Sequence, residues 1–139
     1  MRAALYEGVH TLYLTDRPQP QPQAGEILVR VRAAGVCGTD RHIYHGESTV
    51  SPPVILGHEF AGEVVAVGEG VDADWVNRRV AIDPNIYCGQ CDDCRDGRLQ
   101  LCSNLTAIGV TRDGAFAEMC AVPLSQALPV PEGLSWEEA

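Results

Sequence analysis

Four cysteines fall within one short stretch of this chain: Cys88, Cys91, Cys94 and Cys102, spaced C-x2-C-x2-C-x7-C. Four thiolates at such spacing suit a closed tetrahedral Zn²⁺ site, in which protein fills every coordination position and none is left for substrate. A disulfide pair and scattered core thiols are the competing readings. The residues between them, Gln90, Asp92, Asp93, Arg95, Asp96, Gly97 and Arg98, are polar and cannot supply a core. A loop of that composition has little to hold it except metal. The pattern predicts a zinc lobe over residues 84–104.

A second constellation differs in kind. Cys37 opens the run Cys37-Gly38-Thr39-Asp40-Arg41-His42, and His58-Glu59 follows in a Gly-His-Glu turn. Taken singly, a cysteine after a strand is usually a small core residue, and a histidine beside glycine is usually a surface turn. Taken together they form a mixed sulfur, nitrogen and oxygen donor set with no fourth thiolate. That is the set an open, catalytic zinc requires.

The 139 residues are enough for one domain with a real core, and a hydrophobic content of 45% is ordinary for a globular chain. The net charge of −9 leaves no basic stripe to meet phosphates, so nucleic acid is not an expected partner. All ten basic residues are arginine. Without lysine, Schiff-base chemistry and a P-loop grip on phosphate are excluded. No run of 18 apolar residues crosses a membrane, and the start MRAALYEGVH has no apolar core of a signal peptide. A cytoplasmic, reducing location is expected, where clustered cysteines bind metal more often than they pair.

The chain reads mainly as β. Met1–Tyr6 and Thr11–Thr15 predict a hairpin, and the Pro/Gln alternation of Arg17–Ala24 predicts an extended connector. Glu26–Ala34 alternates apolar and polar residues as a half-buried strand does. Thr39–His45 predicts one helical turn, with Thr39 or Asp40 as its cap. Phe60–Val67, Arg79–Ile82 and Phe116–Val122 predict further strands. Many short strands punctuated by glycine and proline indicate a barrel or sandwich. At the end, Ser135-Trp136-Glu137-Glu138 spells a capping box with Leu134 as its staple residue. The box predicts a helix that continues past Ala139, and hence a chain cut from a longer protein.

Gly57-His58-Glu59-Phe60-Ala61-Gly62, followed by Gly68 and Val71, resembles the zinc signature of the medium-chain alcohol dehydrogenases. Cys37-Gly38-Thr39-Asp40-Arg41-His42 resembles their catalytic-cysteine loop, the four cysteines their structural zinc lobe, and Asp113–Glu118 the strand entry after it. The resemblance runs from Met1 to Ala139 and covers only the GroES-like catalytic domain. It implies a partly open β-barrel with short helices and a zinc-binding lobe. In the family a Rossmann domain follows and binds NAD or NADP. No G-x-G-x-x-G occurs here, and Gly109 and Gly114 follow no suitable strand-to-helix switch.

The resemblance also implies roles. Cys37, His58 and Glu59 would hold the catalytic zinc, with Asp40 fixing the orientation of His58. Thr39 would be the hydroxyl that takes a proton from the alcohol, and His42 the histidine that passes it to solvent. His10 and His45 read as surface residues, and Cys120 as a buried free thiol. Gly38, where better-known alcohol dehydrogenases carry a basic residue, points to the sorbitol and threonine dehydrogenase branch, which takes polyols, sugars or amino alcohols. A parent homo-oligomer is expected from the family. The reading from another class is a zinc-stabilised barrel that acts as a non-catalytic binding module. The Thr39-Asp40-His42 set beside Cys37 favours the enzyme, since a structural module has no use for a proton relay.

Overall fold

The computed structural model describes residues 1–48 and 50–139. β1 (Arg2–Gly8) and β2 (Thr11–Asp16) form the expected antiparallel hairpin, closed by Val9 and by His10 at φ +58°. The connector from Arg17 carries no regular structure until β3 (Glu26–Gly35). Helix α1 (Gly38–Tyr44) comes next, then β4 (Val54–Ile55) and β5 (Glu59–Val67). β6 (Arg79–Ile82) and β7 (Asn85–Ile86) lead into the cysteine lobe, which contains the single helical turn α2 (Asp92–Arg95). β8 (Thr106–Ala107), β9 (Met119–Pro123) and β10 (Ala127–Pro129) complete the chain.

The strands form three sheets, in the orders β2-β1-β4, β10-β6-β5-β3-β9 and β7-β8. β3 lies inside the larger sheet between β5 and β9, and Ile27, Leu28 and Val29 are buried in sequence, as a strand covered on both faces requires. It slips register against β5 at Leu28/Val29 and at Val31/Ala33, and such bulges bend a strand. The bend turns the five-stranded sheet towards the hairpin sheet. The two meet at the Ala3–Ala117 bridge and at the Ala4 N–H to Phe116 carbonyl bond of 2.7 Å. The result is a partly open barrel rather than a closed one.

The main core lies inside that curve and includes Ile27, Val29, Val64, Val80, Ile108 and Val122, each fully buried. Each such side chain contributes about 1.5–3 kcal/mol relative to exposure. Tyr6, Ile43, Val54 and Leu56 form a second cluster beneath α1, where the Tyr6 hydroxyl donates to the Ile43 carbonyl at 3.0 Å.

Two sequence expectations are corrected in detail. The strand expected at Phe116–Val122 begins at Met119, because Phe116–Glu118 divide their main-chain groups between β1, Leu56 and Val31 of β3. The cap of α1 is Cys37 rather than Thr39 or Asp40. Asp40 sits three residues into the helix and its carboxylate accepts from the Cys37 N–H at 2.8 Å. The terminal capping box does form: Glu138 accepts from the Ser135 N–H at 2.9 Å, and the Ser135 hydroxyl accepts from the Glu138 N–H at 3.2 Å.

Candidate functional site

The cysteine lobe is built by turns. Gly89 and Gly97 take positive φ on either side of α2, which reverses the chain and brings its ends together. The Sγ atoms of Cys88, Cys91, Cys94 and Cys102 then all lie within 4.8 Å of one another, and none is in a disulfide. Zinc–sulfur bonds of about 2.3 Å at tetrahedral angles would place sulfurs about 3.8 Å apart. The Cys88 and Cys94 sulfurs are 3.9 Å apart.

Main-chain amides point into the cluster. The Cys88 N–H donates to Cys102 Sγ at 3.3 Å, and the Gln90 N–H to Cys88 Sγ at 3.5 Å. Backbone donors of Cys94 and Ser103 hold the Cys91 thiol down to about 6, and that of Gln90 leads the lowering at Cys88. Cys94, the deeper sulfur, is pushed up to about 12 by burial. The lobe has no apolar centre of its own, since Leu99, Leu101 and Leu105 are all exposed and the buried residues are Cys94 and Cys102. A tetrahedral thiolate-bound ion fits this donor set and supplies the missing centre.

The second site is assembled by strand pairing. Gly35 at the end of β3 stands opposite Glu59 at the start of β5. Cys37 is two residues beyond Gly35, and His58 immediately precedes Glu59, so the ladder brings all three donors together. Their ligand atoms also lie within 4.8 Å of one another. A side chain at Gly35 would crowd this approach, with a Cβ only 3.0 Å from Glu59 Oε2. Glycine packing also fixes the approach to His58. A Cβ at Gly109 or Gly114 would stand 2.3 or 2.2 Å from the Gly57 carbonyl oxygen.

The site contains two polar atoms without hydrogen-bond partners. His58 Nδ1 and Asp40 Oδ1 are both buried and unpartnered, and they are 3.5 Å apart. Native interiors seldom leave such groups unpaired. They mark a place where a ring is held for something further. Thr39 Oγ1 is 3.7 Å from Cys37 Sγ, beside the donors.

His42 sits apart at the surface. Its Nδ1 is 2.5 Å from Glu47 Oε2, and among the described residues no hydrogen bond joins it to Thr39. The contact holds the Glu47 carboxyl below its usual range. Glu47 had no signal in the sequence beyond being an acid just after a helix end.

His10 and His45 are exposed, as expected, and pack edge-on with Tyr44. Cys120 is buried, and burial pushes its thiol up to about 12.

A cleft of about 320 Å³ opens beside Glu59, between Ala33–Gly35 and the terminal Trp136 and Glu137. The Arg79 guanidinium lies 4.0 Å over the Trp136 ring and anchors that terminal turn. A larger cleft, about 540 Å³, lies elsewhere between the connector and β9, and no metal-site donor lines it.

Three comparisons bear on this geometry. The chain is 41% identical over 132 residues to an L-threonine 3-dehydrogenase of Serratia proteamaculans, covering 92% of this chain and 39% of that one. It superposes with TM-score 0.95 on the rspB short chain alcohol dehydrogenase of Escherichia coli CFT073, complexed with NADH. Identity there is 42%, over 100% of this chain and 41% of the other. A cobalt- and zinc-bound thermostable alcohol dehydrogenase from Pyrobaculum aerophilum superposes at TM-score 0.88 with 35% identity, over 99% and 43% of the two chains. This chain thus spans about two fifths of each. The family model of the alcohol dehydrogenase GroES-like domain matches residues 23–132. With that match over most of its length, the chain belongs to the alcohol dehydrogenase GroES-like domain family.

Proposed function

We propose that residues 1–139 are the catalytic domain of a zinc-dependent oxidoreductase that oxidises a secondary alcohol to a ketone with NAD or NADP. The reading extends to a polyol, sugar or amino alcohol as substrate, in line with the L-threonine 3-dehydrogenase relative. The dinucleotide would be held by a domain outside these residues, and the parent protein would be a cytoplasmic homo-oligomer. Residues 84–104 would be a structural zinc lobe held by Cys88, Cys91, Cys94 and Cys102.

The observation that carries the proposal is the convergence of Cys37, His58 and Glu59 with the unpartnered Asp40–His58 pair behind them. Zinc bound there would act as a Lewis acid and lower the pKa of an alcohol hydroxyl. Asp40 accepts from the Cys37 amide with one oxygen and faces His58 Nδ1 with the other. One carboxylate would thereby orient two of the three donors. Thr39, next to the Cys37 sulfur, would take the alcohol's proton on its hydroxyl oxygen while giving up its own hydroxyl proton outward. His42, at the surface and braced by Glu47, would release it to solvent.

Zinc titration with a competing chelator tests the proposal. Two classes of site are expected: a tight one lost in Cys94→Ser and a weaker one lost in Cys37→Ser. Loss of the weaker class in neither Cys37→Ser nor His58→Ala would overturn it.

A further inference from the structure

β2 is the outermost strand of its sheet, and among the described residues nothing pairs with its free edge. Natural edge strands are usually blunted by lysine, proline, an inward charge or a covering loop. Residues 11–15 of β2 have no charge and no proline. Instead Leu12, Tyr13 and Leu14 are 40%, 42% and 71% exposed. An edge so presented is a template for another strand.

The identity of that strand is written in β2 itself. Thr11-Leu12-Tyr13-Leu14-Thr15 reads the same in both directions. The hydrogen-bond parity agrees with a two-fold axis at Tyr13. Arg17 exchanges hydrogen bonds with Met1, at 2.9 and 2.8 Å. Antiparallel bonding alternates, so Thr15 and Tyr13 also face β1, opposite Ala3 and Leu5. The main-chain groups of Leu12, Leu14 and Asp16 therefore face outward.

We infer that β2 docks antiparallel against β2 of a second copy of this chain, centred on Tyr13. In that register Leu12 of each copy exchanges two hydrogen bonds with Leu14 of the other, and Thr11 faces Thr15. The ladder stops there, because His10 lies in the turn with its N–H donated to the Tyr44 carbonyl at 2.9 Å. Registers displaced by two residues place Asp16 opposite Leu12, or His10 opposite Leu14. Registers displaced by one residue put inward-facing amides against outward-facing ones. Only the central register matches like with like throughout. Main-chain bonds supply the affinity and the alternating side chains the specificity, as in other strand additions. The contact is short of a standard interface, so the dimer is weak, with a dissociation constant on the order of 0.1 mM. The net charge of −9 on each copy opposes it, so salt strengthens it.

Sedimentation equilibrium of the zinc-loaded chain, with and without Leu14→Lys, is the first measurement. A dimer whose dissociation constant rises at least tenfold in Leu14→Lys, at unchanged melting temperature, is expected. The second measurement fixes the register. Tyr13→Cys incubated with oxidised glutathione should form a disulfide between the two copies at position 13, located by peptide mapping. Leu14→Cys should form the equivalent link far more slowly, because position 14 faces position 12. A chain that stays monomeric to about 1 mM overturns the inference, as does a dimer indifferent to Leu14→Lys. Faster self-linking at position 14 than at position 13 overturns it equally.

Discussion

Asp40 and His58 face each other across 3.5 Å with no other partner for the facing atoms, one on helix α1 and the other at the mouth of β5. A carboxylate in that position fixes which ring nitrogen carries the proton and leaves the other for a ligand. Asp40→Ala should weaken zinc binding at the Cys37, His58 and Glu59 site by about 10–100-fold. Binding at the four-cysteine lobe should not change. Competitive chelator titration of the variant separates the two.

The lobe should depend on its ion. Structural zinc sites carry apparent binding energies on the order of 10 kcal/mol, comparable to the whole stability of a small domain. Removing zinc, or changing Cys94 to serine, should erase amide protection across residues 84–104 while the β3–β5 ladder stays protected. Hydrogen exchange read by mass spectrometry checks this.

Acid should release that zinc. Protons compete with the ion for thiolates, so affinity falls as pH falls. Cys91, held down to about 6, is already a thiolate at pH 7, whereas Cys94, pushed up to about 12, must lose a proton to bind. Binding at pH 7 should therefore release fewer than four protons. Calorimetry in buffers of different ionisation enthalpy counts them.

Gly114→Ala should be strongly destabilising, since its Cβ would fall 2.2 Å from the Gly57 carbonyl oxygen. Backbone must move, at a cost of about 2–4 kcal/mol. Gly25→Ala meets no atom within 4 Å and is strained only by its φ of +76°, so it should cost about 1 kcal/mol. Thermal melts of the two variants give the comparison.

Alone, this chain should not reduce NAD or NADP. Hydride transfer needs the nicotinamide within about 3–3.5 Å of the reacting carbon. The turn from β3 into α1, Gly35-Val36-Cys37-Gly38, presents a metal donor rather than a G-x-G-x-x-G loop that could hold the dinucleotide. In the full-length dehydrogenase proposed above, Cys37→Ser or His58→Ala should abolish turnover, and Thr39→Val should slow it by 10²–10⁴-fold, roughly the contribution of a positioned proton acceptor. Steady-state rates on polyols and amino alcohols, for the chain and the parent, check both.

What the sequence made legible follows from what each feature depends on. Metal donors depend on residue identity at fixed spacing, so Cys88, Cys91, Cys94 and Cys102 were readable before any fold was known. β3 was readable because ten residues give a pattern time to declare itself. β4, β7 and β8 hold two residues each and β10 three, too few for any period, and they exist only because partners lie alongside. Asp40 reads from sequence both as a cap of α1 and as the carboxylate behind His58; only the cap reading fails, because where β3 ends makes Cys37 the cap and puts Asp40 one turn inside. Glu47 pairs with His42 through the turn after α1, which no spacing rule describes.

The exposed leucines of the lobe carry one further consequence. Leu99, Leu101 and Leu105 support no core, because the four sulfurs already gather the loop around a point. Apart from the Arg98–Asp93 pair, the exposed residues between the cysteines thus answer to no packed core. Selection can rewrite that surface, residue by residue, without endangering the domain beneath it.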